Sequence, residues 1–177
     1  MKEYLPQTWN DPRIEIRRSA INGDGIFARQ SIQKGEVVII VGGRVMTEEE
    51  FASFQATRAV YNFIQIDKDL YLVEDPDTTQ SVEGWVNHSC DANTWMTDEV
   101  TLVARRDIAP GEEVTVDYAL FTTQSNWMLD TRCRCGSPDC RRIITGDDWR
   151  RKDVQERYRH HFSPFINRRI EKAEEEE

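Results

Sequence analysis

Asn87-His88-Ser89-Cys90 sets an amide, an imidazole, a hydroxyl and a thiol in four consecutive positions. Such a run is poor core material, because every polar group taken out of water needs a partner. Three more cysteines follow downstream in Cys133-Arg134-Cys135-Gly136-Ser137-Pro138-Asp139-Cys140. Gly136 and Pro138 force a tight loop there and turn the thiols inward. Three thiolates leave a tetrahedral zinc site one ligand short, and Cys90 is the remaining cysteine of the chain. A site of four thiolates would leave no open position for water, so such a zinc would be structural. The competing reading is that these cysteines are small buried hydrophobes.

Two other groups stand out less. Gly23-Asp24-Gly25 lacks the GxGxxG spacing of a dinucleotide site and reads first as a hairpin turn. Glycine there would also let the backbone approach a ligand closely. His88 reads as a core or surface histidine, and Tyr118 as a core tyrosine at a strand end. The order Asp117-Tyr118, just ahead of the cysteine loop, makes that pair less ordinary.

The elements that must position these groups are mostly strands. Residues 11–18 alternate, with Ile14 and Ile16 inward, as a half-buried strand does. Asn22-Gly23-Asp24-Gly25 is a turn leading into a strand from Gly25 to Ala28. Val37 to Val41 is a β-branched, buried run. Thr47-Glu48-Glu49-Glu50 carries a capping-box signature for a short helix burying Phe51 and Phe54. Tyr61 to Ile66 and Leu70 to Val73 form a hairpin about Asp67-Lys68-Asp69, and Val100 to Ala104 and Glu113 to Tyr118 are further strands. After Gly146, Asp147 or Asp148 can cap a helix on which Val154, Tyr158, His161 and Phe165 face inward, and Ser163-Pro164 separates it from another.

The formal net charge of −9 argues against a duplex-DNA binder with a large basic face, so no direct nucleic-acid binding is expected. The charge is uneven. Residues 141–170 hold nine Arg or Lys against four Asp or Glu, residues 171–177 hold five Glu and one Lys, and residues 1–140 carry about −10. A solvated helix face with an acidic tail is the plain reading; an acidic surface attracting a cationic partner is the sharper one. No apolar run approaches the ~20 residues of a membrane span. Met1 to Asn10 lacks a signal-peptide pattern, so an intracellular protein is expected, cytoplasmic or nuclear. In that setting four cysteines suggest metal before disulfide.

Five segments, in this order, resemble the SET-domain lysine methyltransferases with their cysteine-rich post-SET segment. They are Gly23-Asp24-Gly25-Ile26-Phe27-Ala28, Ile32 to Glu36, Asn87 to Asn93, Ala104 to Tyr118 and Cys133 to Arg141. The resemblance covers roughly residues 12–145. It implies a mostly-β SET fold, with small curved sheets around a knot-like core, a post-SET zinc loop and C-terminal helices. The segment at Asn87–Asn93 would thread beside the segment at Glu113–Tyr118. The implied cofactor is S-adenosylmethionine, with Gly23, Asp24, Gly25, Ile26, Asn87, His88 and Tyr118 around it. Cys90, Cys133, Cys135 and Cys140 would hold structural zinc. Tyr118 matches the catalytic tyrosine; Tyr61, Val116, Phe121 and Trp127 would line a substrate channel.

The resemblance implies a layout of an N-terminal extension at 1–11, a SET domain at 12–128, a post-SET segment at 129–146 and a helical extension at 147–177. It implies transfer of methyl groups to a lysine amine, and the acidic charge suits a basic protein or peptide, a histone tail being one such substrate. The alternatives are a non-histone protein or free lysine as substrate, or a catalytically silent binding module. The chain departs from the family pattern at three places. Val116 stands where an aromatic residue is common, Gly84-Trp85 where Arg-Phe is usual, and Arg141-Arg142 where Arg-Gly is usual. No multi-cysteine pre-SET segment stands ahead of the match.

Overall fold

Three small sheets carry the strands of this protein, described here from a computed structural model over residues 2–57, 62–74 and 86–176. The first sheet runs β1 (Trp9–Asn10), β4 (Val37–Ile40), β10 (Thr101–Ala104) and β9 (Thr94–Met96). The second runs β2 (Ile14–Arg18), β3 (Asp24–Ala28), β11 (Glu113–Val116) and β8 (Asn87–His88). The third is β5 (Arg44–Thr47), β7 (Leu70–Glu74) and β6 (Asn62–Asp67). Among the described residues the α-helices are α1 (Glu48–Gln55), α2 (Lys152–Arg157) and α3 (Pro164–Glu175).

The strand expectations mostly hold, because β-branched runs between turn residues leave the backbone few other options. Val37–Ile40 and Thr101–Ala104 pair antiparallel in the middle of the first sheet, where Val38, Ile39 and Ala104 are fully buried. Ile16 departs from its expectation at 43% exposed. β2 is an edge strand paired only with β3, and it passes beyond the packed layer after Ile14. Thr47 caps α1 as its pattern predicts: its hydroxyl accepts from Glu50 N, while the Glu50 carboxylate accepts from Thr47 N. Phe51 is buried by that helix and Phe54 half-buried.

Both expected extensions are woven into the body. Trp9–Asn10 pairs with β4, so the expected N-terminal extension contributes a short strand to the first sheet. Trp149, Val154, Tyr158, Phe162, Phe165 and Ile166 join the main apolar core with Ile26, Val114 and Leu120. Hydrophobic burial on this scale is what holds a short helix such as α2 in place. Neither Asp147 nor Asp148 caps it: residues Asp148–Arg150 form a 3₁₀ turn, and the Asp148 carboxylate is taken by Arg141 and Thr145. His161 falls beyond α2, past a left-handed His160 at φ 65. No helix among the described residues is long and apolar enough to cross a membrane.

Candidate active site and cysteine centre

The Asn87–Asn93 stretch lies where the second sheet meets the chain's return. β8 pairs parallel to β11, with Asn87 opposite Thr115 and His88 opposite Val116. Asn93 fastens the far end: its amide nitrogen donates to Glu113 O at 2.8 Å, and its Oδ1 accepts from Thr115 N at 2.8 Å. Asn87 Nδ2 donates to Asn22 O and Asp24 O, each at 3.1 Å, and to Glu113 Oε1 at 2.7 Å. Ser19 Oγ donates to the same carboxylate at 2.8 Å. Gly25 makes this crowding possible, since a Cβ there would collide with the Glu113 carboxylate and lie 2.9 Å from Asn87 Nδ2. Gly23 adopts φ +49, a left-handed turn position in open space.

The four cysteines converge. Their sulfurs all lie within 4.8 Å of one another, although Cys90 is 43 residues before Cys133. Thiolates about 2.3 Å from one tetrahedral zinc ion form a cluster of this size. Two backbone amides already point at the sulfurs: Arg141 N donates to Cys90 Sγ at 3.3 Å and Cys90 N to Cys135 Sγ at 3.5 Å. Burial pushes the Cys133 thiol up to about 12 and Cys90 up as well. Cys135 is lowered to about 7: burial opposes this, but N–H donors from Cys90 and Ser137 outweigh it. Ionising all four together needs a cation among them.

Tyr118 starts a 3₁₀ turn, Tyr118–Leu120, immediately after β11. It borders two spaces. On one side is a cavity of about 210 Å³ lined by Phe63, Val86, Val116, Phe121 and Trp127 among others. On the other is a narrow polar crevice of about 30 Å³ lined by Asn22, Asn87, His88, Arg132 and Arg134 among others. The Tyr118 ring packs 5.2 Å from His88, 5.9 Å from Phe121 and 6.0 Å from Trp127. Its hydroxyl donates to Val86 O at 2.9 Å. Burial, with a smaller contribution from Cys133, pushes the phenol up to about 12, so it stays protonated at neutral pH. Burial drives His88 down to about 4, against an opposing pull from Asp117, and leaves it neutral. Its Nδ1 accepts from Tyr118 N at 3.2 Å, and its Nε2 lies 3.3 Å from Cys90 Sγ.

The structure thus brings Asn87, His88 and Tyr118 to the crevice, and Val116, Phe121, Trp127 and Tyr118 to the cavity. Gly23, Asp24 and Gly25 sit beside the crevice rather than on its walls, where Ile21 and Asn22 stand instead. The Ile26 side chain belongs to the core and is 0% exposed. Tyr61, Gly84 and Trp85 lie outside the described residues.

Several supporting residues gave little sequence signal. Arg141 forks onto Asp117, with Nη1–Oδ2 and Nη2–Oδ1 both 2.7 Å, and its Nε donates to Asp148 at 2.8 Å. Arg157 donates to the Cys90 carbonyl and to Asp139 Oδ2, the latter at 2.7 Å. The Tyr158 hydroxyl accepts from Ala92 N at 3.0 Å. Asp117 beside Tyr118, and Arg141 beside Cys140, were the available hints, but pairing across 24 positions leaves no local pattern.

Comparison with known proteins agrees with this geometry. The SET domain family matches residues 23–119, more than half of the chain. The "Variant-silencing SET domain-containing protein" of Plasmodium falciparum (isolate 3D7) is 31% identical over 143 residues, covering 72% of this chain and 5% of that protein. "Histone-lysine N-methyltransferase ash1" of Drosophila melanogaster is 32% identical over 156 residues, covering 81% of this chain and 7% of that protein. The chain therefore spans only a small part of these relatives' lengths. Among solved structures, the methyltransferase domain of human Histone-lysine N-methyltransferase SETMAR shares the fold, at TM-score 0.56 and 21% identity over 74% of this chain and 57% of that one. With the parallel β8–β11 pairing, the paired spaces about Tyr118 and this match in hand, the chain belongs to the SET domain family.

Proposed function

We propose that this chain transfers methyl groups from S-adenosylmethionine to the side-chain amine of lysine in a basic protein or peptide. The observation that carries the reading is that Tyr118 is shared by the linings of an apolar cavity and a polar crevice. Methyl transfer to an amine is an in-line displacement, so the two reactants must meet from opposite sides of one narrow point. The relatives named as histone-lysine N-methyltransferases, and the charge of about −10 on residues 1–140, favour a cationic histone-like tail as substrate.

S-adenosylmethionine, when bound, supplies a methyl group already activated on a sulfonium. The residues of the chain then have three tasks. The apolar walls from Val86, Val116, Phe121 and Trp127 disfavour an ammonium and so favour the neutral, nucleophilic amine. The Tyr118 hydroxyl donates a hydrogen bond to Val86 O, which leaves its lone pairs for the amine N–H. With its phenol at about 12, Tyr118 orients the amine rather than removing its proton. Asn87 and His88 would contact the donor. At about 30 Å³ the crevice is far below the roughly 300 Å³ of a small-molecule site, so it would have to widen to admit the donor.

Cys90, Cys133, Cys135 and Cys140 would hold one zinc ion with all four positions filled, which confines it to a structural role. The division into a SET body at 12–128, a post-SET segment at 129–146 and an extension at 147–177 remains part of this reading. A methyl-labelled donor with an array of lysine peptides tests the proposal. Transfer to basic peptides is expected; peptide binding without transfer at any pH would favour a silent binding module.

A further inference from the structure

Arg141 stands directly after Cys140, the last residue of the cysteine cluster. Its side chain is 3% exposed and its partner Asp117 0% exposed. The Asp117 carboxylate does two things at once. It receives both arms of the Arg141 fork at 2.7 Å, and its Oδ1 accepts from Ala119 N at 3.1 Å, capping the turn that carries Tyr118. Arg141 is itself held at its backbone by Cys90 Sγ and at its Nε by Asp148. Thr145 Oγ1 in turn donates to Asp148 Oδ1 at 3.0 Å. One guanidinium therefore joins three parts of the chain: the cysteine loop, the turn bearing Tyr118 and the C-terminal extension.

Resting on the methyltransferase reading, we infer that Arg141 is a positioning residue that transmits the order of the cysteine loop to Tyr118 through Asp117. A lysine cannot do the same. An ammonium is a point donor, while the planar fork fixes both carboxylate oxygens and so the orientation of Asp117. With the fork gone, the carboxylate is free to rotate and the cap on Ala119 N loosens. The Tyr118 ring then drifts relative to the wall it forms, and a displacement near 1 Å at a reacting centre is enough to cost up to about 100-fold in rate.

The test uses the full chain with Arg141→Lys, Asp117→Asn and the double variant. Zinc content, amide hydrogen exchange at Tyr118, Ala119 and Leu120, and methyl-transfer kinetics are measured for each. Arg141→Lys is expected to keep its zinc, to speed exchange at those three amides, and to lower kcat roughly 10- to 100-fold. KM for the methyl donor should change less than kcat, since of the crevice lining only Tyr118 is displaced. If Arg141 acts through Asp117, the double variant falls no more than about threefold below the worse single one. Unchanged exchange in zinc-loaded Arg141→Lys, or losses that multiply in the double variant, would overturn the inference. Loss of zinc in step with activity would overturn it too, making Arg141 a prop of the metal loop alone. Should Arg141→Lys not fold, Asp117→Asn carries the test from the other side of the fork. Faster exchange with zinc retained supports the link, and unchanged exchange contradicts it. If the wild type transfers no methyl group to any lysine, the proposed function falls, while the exchange measurement still decides what Arg141 does.

Discussion

The Tyr118 hydroxyl donates to the Val86 carbonyl at 2.9 Å, across 32 positions of sequence. That bond ties the end of β11 to the residue just before Asn87-His88, so the two strands of the parallel pair meet again at Tyr118. A buried phenol needs such a partner, and here the partner also fixes where its lone pairs point.

Removing the metal is expected to loosen the site from a distance. Purified protein should contain one zinc per chain by elemental analysis. A strong chelator, or Cys135→Ser, should lower Tm, loosen residues 130–145 and weaken donor binding measured by calorimetry, because Cys133 and Arg134 line the crevice. Protein purified without zinc, yet binding the donor normally, would remove the metal from this account.

Arg142 adopts φ 66, a left-handed conformation that glycine takes without strain. Its carbonyl accepts from Cys133 N at 2.8 Å, a backbone bond that any residue can make. Arg142→Gly should therefore stabilise the folded chain by about 0.5–1 kcal/mol. At this chain length that corresponds to a rise of roughly 1–4 °C in Tm by calorimetry. A fall in Tm would show that the Arg142 side chain makes a favourable contribution larger than the backbone strain.

Tyr158→Phe deletes the acceptor of a fully buried amide, Ala92 N, while keeping the ring that fills the core. An orphaned buried donor costs about 1–3 kcal/mol. Denaturant midpoints should shift accordingly with an unchanged m-value. No shift would mean that Ala92 N finds another partner.

Val116 lines the apolar cavity where a bulkier aromatic residue would fill it. The wild type is expected to add more than one methyl group, and Val116→Tyr to stop earlier. Mass spectrometry of the product under excess enzyme reads this directly. Monomethyl product alone from the wild type would mean that another wall limits the space.

The strands, the capped helix α1 and the convergence of four thiols were legible because turn residues, β-branched runs and cysteine spacing leave local marks. Asn87, His88 and Tyr118 were legible as a set through family resemblance. Their separate side-chain types left each with an ordinary reading as well. What stayed hidden was long-range. The Asp117–Arg141 fork spans 24 positions and the Tyr158 bond to Ala92 spans 66, and neither pairing has a periodicity to betray it. Ile16 misled because alternation marks a strand but not whether the layer above it continues. Composition left the role of residues 147–177 open, and their side chains supply part of the core, while Trp9–Asn10 supplies a sheet strand.

The central claim is that Tyr118 orients a lysine amine toward a donor held by Asn87 and His88. Tyr118→Phe tests it most directly, because it removes one oxygen and leaves the aromatic wall. With zinc content and donor affinity measured alongside, the variant should retain both and lose transfer to a lysine peptide by roughly 100-fold or more. Transfer at the wild-type rate, with zinc and donor bound, would contradict the account.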